Sequence, residues 1–305
     1  MRYAVESWAP EYGIAADPDQ METATEPAVI DVEYPADQWR PLTPAPDEGP
    51  SKVVFVDGVR RIDARVWIAD GELARQGVCA SVAAGAVTCT TNHATLTTAS
   101  VSRGVFAAAS DAADDIETRY GDYRFVACTG DAPEDFYLGI HQRMTDLEKG
   151  LVVGDDADLV VFDGPLRGRA DPRAVGYVKT QHVQYLPDEL QGLLGRLDAG
   201  QRTPIFALSS WGMTLYSWYL RLPVAPSHAL AGIVRCEVPA VASVADTIAA
   251  ADRLTALLPR YASEPHKDGR APQNLYPIAG LERELRRRLG DQYLLERALR
   301  LAALN

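Results

Sequence analysis

Val53-Val-Phe-Val-Asp57-Gly-Val-Arg60-Arg61 and Leu159-Val-Val-Phe-Asp163-Gly-Pro-Leu-Arg167 follow one plan: four apolar residues, then Asp-Gly, then arginine. A short apolar run bounded by Asp-Gly reads as a strand buried on both faces. Such a strand delivers its terminal aspartate to the edge of a sheet. If the two strands are neighbours, two carboxylates converge, and like charges that close are unfavourable unless a cation neutralises them. Clustered hard oxygen ligands suit Mg²⁺ or Mn²⁺, and two such ions can clamp both oxygens of an in-line phosphoryl displacement. Asp-Gly is also an ordinary turn after a strand, and for either stretch alone the turn is the simpler reading. The pair together, each followed by basic residues, keeps both readings open.

Outward from these stretches the pattern alternates between strand and helix. Residues 61–68 place Ile62, Ala64, Val66 and Ile68 on one side and Arg61, Asp63, Arg65 and Trp67 on the other, a half-buried strand. A third strand is expected over 77–90, a helix over 104–119 and a strand over 123–128. Asp131-Ala-Pro133-Glu-Asp135 is a helix start, with proline and acids in the first turn, and the helix runs to about Lys149. After the second Asp-Gly come a Gly/Arg-rich loop, a strand around 177–180 and a helix near 187–198. Strands over 204–209, 213–221 and 230–238 follow, then helices over 243–260 and 278–302. Three antiparallel strands and then helix-separated strands predict an α/β fold with a mixed central sheet.

A third carboxylate would complete a metal site, and the helix over 133–149 can supply it. Its apolar stripe of Phe136, Ile140, Met144 and Leu147 defines the buried face. Glu148 falls about 80° from the centre of that stripe and Asp146 roughly 120° away on the other flank. Glu148 is therefore the expected third ligand and Asp146 the solvated one. Lys179, on the strand after the second Asp-Gly, is a point charge suited to a phosphate. His182, His228 and His266 have no metal-ligand spacing to one another. There is no Walker A loop, no Gly-x-Gly-x-x-Gly and no Gly-x-Ser-x-Gly, so no nucleotide-powered motor is encoded.

The 305 residues carry a net charge of −12, unevenly spread. Residues 1–50 hold 11 acidic and 2 basic residues and 8 of the 20 prolines, whereas the rest is close to neutral. This divides the chain into an acidic, Pro-rich arm over 1–50 and a body over 51–305. Trp8, Tyr12, Tyr34 and Trp39 are expected to dock the arm on its own body. A nearly neutral body can still present a basic groove to a polyanion. Cys79, Cys89, Cys128 and Cys236 are scattered, which fits a reducing cytoplasm. No apolar run is long enough to span a bilayer, and the first residues lack the pattern of a secretory leader.

The ordered set of pieces resembles the NurA family. It comprises Phe55-Val-Asp57-Gly58, Leu147-Glu148, Val161-Phe-Asp163-Gly-Pro-Leu166, Gly176-Tyr-Val-Lys179-Thr, Tyr185-Leu-Pro187, Arg235-Cys-Glu237-Val-Pro239 and Asn274-Leu-Tyr276-Pro277-Ile278. The resemblance implies an RNase H-like fold related to the Argonaute nuclease domain, with a mixed sheet flanked by helices. It also implies a dimer, manganese-dependent cleavage of DNA, and association with the hexameric HerA translocase in end resection. By position, Asp57, Glu148 and Asp163 match the family's acidic metal ligands, and Tyr276 falls in its Tyr-Pro motif. The family often has a histidine shortly after that motif. Here the stretch reads Tyr276-Pro-Ile-Ala-Gly-Leu-Glu282, so either Glu282 replaces it, His266 reaches in from upstream, or the site is altered.

The expectation is thus a DNA nuclease using two Mn²⁺ or Mg²⁺ ions held by Asp57, Glu148 and Asp163. Arg60, Lys179, Tyr276 and the loop beginning at Arg167 would position the DNA. Replacing Asp57 or Asp163 is expected to leave the metal-free fold intact, and Glu237 is expected on a core strand beside Arg235. The rival is a catalytically degenerate RNase H-like scaffold that binds DNA or a motor partner. An actin-like phosphotransferase is more remote, because its Gly-rich phosphate loops are missing.

Overall fold

The structure is a computed structural model that describes residues 27–45, 49–70, 72–109, 114–154, 156–180, 183–223 and 228–302. It is a mixed α/β fold in two compact units. The first unit comprises Met1–Phe55, Cys89–Ala94 and Asp155–Ala279; the second comprises Val56–Thr88, Thr95–Gly154 and Gly280–Asn305.

Five strands belong to the first unit: β5 (Leu159–Asp163), β6 (Ala174–Val178), β7 (Phe206–Ser210), β8 (Met213–Arg221) and β9 (Ile233–Pro239). Their order is β5-β6-β9-β8-β7. The β5–β6 pair is parallel and the others are antiparallel, the mixture that the sequence pattern predicts. Helices α2 (Asp188–Arg196) and α3 (Val244–Leu257) accompany this sheet. Ser243 caps α3 by accepting the Asp246 N–H, satisfying one of the otherwise orphaned donors of the first turn. The apolar core gathers Leu166, Leu193, Phe206, Leu215 and Tyr219 around Trp39.

Trp39 and Tyr34 show what the aromatics of the N-terminal arm do. The Trp39 ring lies 6.4 Å from that of Phe206, and Tyr34 packs on the same cluster. Backbone bonds join Val29 to Ala207 and Leu42 to Arg202, so 27–45 is tied to this unit near both its ends, with a 3-10 turn at Ala36–Gln38 between them. Trp8 and Tyr12 lie outside the described residues. One of the arm's acids is internal. Glu33 receives both Nη1 (2.7 Å) and Nη2 (2.9 Å) of Arg202, which is 1% exposed, and also the Ile205 N–H. Asp252 takes Arg202 Nε at 2.6 Å. A forked guanidinium answered this fully can be buried without an unpaired charge.

The second unit holds most of β1 (Val53–Asp70) with β2 (Leu73–Cys89), β3 (Ala94–Ala108) and β4 (Arg124–Cys128), in the order β4-β3-β2-β1. Here the sequence reading is corrected three times. The strand expected to end at Asp57-Gly58 does not end; it continues as β1 to Asp70, because Gly58 keeps an extended backbone. The described residues of 104–119 form no helix: 104–108 finish β3, pairing in parallel with β4 from Gly104↔Arg124 to Ala108↔Cys128. Alanine-rich composition favours helix only by tenths of a kcal/mol per residue, and burial of Val105, Phe106 and Ala107 in a sheet outweighs it. The helix expected over 278–302 is two, α4 (Tyr276–Arg288) and α5 (Gln292–Ala302). Gly290, at φ 84°, makes the left-handed turn that stops the first.

Helix α1 (Pro133–Lys149) matches its expected span. Phe136, Ile140 and Met144 pack on Val78, Ala80, Val82 and Phe106. On β1, Ala64, Val66 and Ile68 join a cluster with Cys79, Val105, Tyr123 and Leu299, as the alternation requires. Ile62 departs from it and is exposed, whereas Asp63 is buried. That carboxylate accepts Arg61 Nε (2.8 Å), the Tyr123 hydroxyl (2.9 Å) and the Ser81 hydroxyl, so its burial leaves no acceptor unanswered.

Replacing Arg202 by methionine strands the Glu33 carboxylate inside the first unit. Chemical denaturation should show a loss of roughly 3–5 kcal/mol, the usual result of removing one partner from a buried ion pair. An unchanged midpoint would mean that 27–45 does not hold to this unit in solution.

Candidate functional site

In the second unit, the expected Glu148 approaches β1 at Gly58, the residue after the expected Asp57. Asp57 and Glu148 are 9% and 6% exposed. A Cβ built on Gly58 would stand 2.5 Å from Glu148 Oε1 and 2.8 Å from Met144 Cγ. Gly58 therefore acts as a slot: it lets the end of α1 bring a carboxylate against the Asp57–Gly58 backbone. Asp57 Oδ1 accepts the Gly58 N–H at 2.7 Å. Asp146, two residues from Glu148, is exposed and accepts Gln142 Nε2, as the helical-face argument expects.

Two turns further back on α1 stands a residue that sequence reasoning missed. His141 is buried on α1, with Nδ1 3.3 Å from Arg60 Nη1. The Arg60 guanidinium also lies 4.4 Å over the Tyr137 ring. The signal was present: 141 is seven residues before Glu148, two helical turns on the same face, and 137 is one turn further back. The second unit thus assembles two acids, an arginine and an imidazole.

In the first unit, Asp163 closes β5 as expected, and Gly164 turns the chain at φ 105°. Lys179 lies just beyond β6. Its Nζ donates to Asp163 Oδ2 at 2.7 Å and to Asn274 Oδ1 at 3.1 Å. Asn274 is itself held by Asp268 Oδ2 at 2.7 Å. The Lys179 side chain is 3% exposed and that of Asp163 is 17%. The ammonium therefore neutralises this aspartate, a role its sequence position did not reveal. Losing Asp163 would strand a buried cation, so the expected indifference of the fold does not extend to this residue.

The remaining expected residues disperse. Arg167 is buried at φ 47°, and Arg169 covers the Phe162 ring at 4.3 Å, so both serve their own loop. The Tyr276 hydroxyl donates to Glu264, with Lys267 5.2 Å from its ring. The hydrogen bond from Lys267, first among several contacts, holds the Glu264 carboxyl below its usual range. His266 is largely exposed, 3.5 Å from that carboxylate. Glu282, in the second unit, accepts Arg286 at 2.9 Å. His228 is half-buried, and His182 lies outside the described residues.

Cysteine chemistry is not poised in this protein. Burial, with the Asp63 charge second, pushes the Cys79 thiol up to about 12. Burial lifts Cys89 and Cys128 to about 11, and Cys236 higher still. All four stay protonated at neutral pH and make poor nucleophiles or ligands. The Asp57–Glu148 oxygens are the donor type that a hard divalent cation takes, so this pair fits Mg²⁺ or Mn²⁺. Among the described residues, no group of three His, Cys, Asp or Glu is arranged to hold a metal ion. Nor is any described helix long and apolar enough to cross a membrane.

Comparison with known proteins adds one family and a few distant structures. No curated protein sequence matches the chain. The NurA nuclease from Sulfolobus solfataricus is similar in structure at 12% identity, over 82% of this chain and 84% of that one, with a TM-score of 0.48. The catalytic domain of human endonuclease V is similar at 18% identity, over 92% and 99%, with a TM-score of 0.34. An endonuclease V from Bacillus subtilis follows at 12%, over 77% and 79%, with a TM-score of 0.30. The NurA domain model matches residues 140–287, just under half of the chain, a stretch that contains Glu148, Asp163, Lys179 and Tyr276; over that stretch the chain is similar to the NurA family.

Proposed function

We propose that this protein is a divalent-metal-dependent DNA nuclease that hydrolyses phosphodiester bonds, with Asp57, Glu148 and Asp163 as its metal carboxylates. The observation that carries the reading is the buried Glu148 carboxylate seated at Gly58, the residue after Asp57, inside a chain similar to the NurA family. Carboxylate oxygens are the hard donors that a divalent cation takes. When bound, Mn²⁺ or Mg²⁺, two ions in this reading, supplies Lewis-acid neutralisation at both oxygens of an in-line displacement.

The side chains supply the rest. Asp57 and Glu148 would serve as metal ligands, and Asp163, which accepts a hydrogen bond from Lys179, would supply the third carboxylate. Arg60, braced by Tyr137 and His141, is positioned to fix a phosphate oxygen of the backbone. Tyr276 provides an aromatic face on which a base can stack. His266, beside Glu264, or Glu282, beside Arg286, would take the place of the family's missing histidine.

This nuclease is proposed to act in the cytoplasm as a homodimer, in DNA end resection, fed by a HerA-type hexameric ATPase. The chain has no nucleotide-binding loop and so cannot move along DNA by itself. The rival reading, a catalytically degenerate scaffold, shares the DNA or motor binding but not the cleavage.

End-labelled DNA incubated with the purified protein and Mn²⁺, Mg²⁺ or chelator separates the two. Cleavage should require metal. Asp57→Ala or Asp163→Asn should reduce it by more than the roughly 100-fold that loss of an outer-shell metal partner can cost. Glu148→Gln should be as damaging, and Asp146→Asn nearly silent. Wild-type rates in Asp57→Ala, or equal losses at 146 and 148, would remove the carboxylate assignment.

The partner proposal has its own measurement. Solution mass should correspond to two chains, and product length should show distributive cutting by the protein alone. Processive cutting should appear only with the cognate ring ATPase and ATP. A processive monomer would rule the arrangement out.

A further inference from the structure

We infer that Glu237, with Arg235 behind it, is a positioning residue that aims Asp163 by holding the far end of the turn that carries it. The inference rests on the proposed nuclease reading and deepens it. Glu237 lies on β9 opposite Gly176 of β6, and it is 1% exposed. A Cβ at Gly176 would stand 2.6 Å from Glu237 Cγ and 2.9 Å from its Oε1. The glutamate therefore crosses β6 through the space that a glycine leaves. Beyond it, Oε1 accepts the Leu166 N–H at 2.7 Å.

The turn Asp163-Gly-Pro-Leu166 is thus pinned at two points. Near its start, the Gly164 N–H donates to Tyr177 O at 2.9 Å, continuing the β5–β6 ladder. At its end, Leu166 is pinned by a carboxylate. Gly164, at φ 105°, has a backbone freedom that would otherwise let the Asp163 side chain swing. The second oxygen of Glu237 takes Arg235 Nη1, and that guanidinium also reaches the Ser217 hydroxyl and lies 4.8 Å over the Tyr185 ring.

A buried Glu–Arg pair is a costly way to fill a core, since apolar residues of similar volume serve stability as well or better. What an apolar pair cannot supply is an acceptor for the Leu166 N–H. That acceptor is the distinct contribution of Glu237. Gly176 and Arg235 make it possible: one by leaving space, the other by neutralising the charge.

Removing Glu237 alone leaves a buried Arg235 and risks the fold, so the test changes both residues. Arg235→Met/Glu237→Met removes the charges together and the acceptor with them. Arg235→Met/Glu237→Gln removes the charges but keeps a carbonyl oxygen for Leu166. Both should unfold within a few degrees of the parent. Amide hydrogen exchange at Leu166 should be about tenfold faster in the Met/Met protein, the equivalent of one hydrogen bond, and near the parental rate in Met/Gln. Metal-dependent turnover should fall by about tenfold or more in Met/Met with KM unchanged, and recover in Met/Gln.

Parental exchange and turnover in the Met/Met protein would overturn the inference, as would a Met/Gln protein no better than Met/Met. If the parent itself does not cut DNA, the nuclease reading fails. The Leu166 exchange pattern then decides the positioning role alone.

Discussion

Glu237 is a charged side chain almost sealed from water, and it lies there only because Gly176 has no side chain. Burial of an ion is tolerable when every lone pair meets a donor, and Leu166 N–H and Arg235 supply that requirement. The demand spreads outward from there. Arg235 needs Ser217 and the Tyr185 face, Tyr185 packs on the cluster around Phe206 and Trp39, and Trp39 arrives on the N-terminal segment. Much of the first unit's architecture can be read as the satisfaction of buried charge, with Arg202, Glu33 and Asp252 as a second instance.

The second unit uses the same device. Gly58 opens a slot on β1, and Glu148 fills it from the end of α1, as Glu237 fills the slot at Gly176. In both cases a glycine inside a strand, where it costs stability, marks a close approach of a carboxylate. The two glutamates differ in what answers them. Glu237 faces an arginine and a backbone amide, which suits a structural pin. Glu148 meets β1 at Gly58, the residue after Asp57.

Lys179 joins these themes, because its ammonium is held between Asp163 and Asn274 and is almost fully enclosed. The lysine that the sequence offers as a phosphate contact also holds a carboxylate in place. Electrostatic preorganisation of this kind needs no motion when substrate arrives. It also makes Asp163 a residue whose loss the fold registers, unlike an acid at a water-facing edge.

How much of this was legible beforehand divides along physical lines. Local periodicity determined α1, the burial of Glu148 against the exposure of Asp146, the five strands of the first unit and the mixed sheet. These depend on spacing along one element, and spacing is written in the sequence. The role of Gly58 was not legible, since Asp-Gly signals a turn in isolation, and only the approach of α1 shows why the strand continues. The strand at 104–108 was hidden because alanine favours helix until a partner strand and a core claim it. His141 could have been found from its seven-residue spacing to Glu148. The Lys179–Asn274 bond could not, because it joins residues 95 positions apart, and neither could the Glu237–Leu166 bond, 71 positions apart. Sequence by itself determined which residues carry charge and which face of each element they occupy. Tertiary structure alone decided which charges answer one another, because that depends on distances that only the packed chain defines.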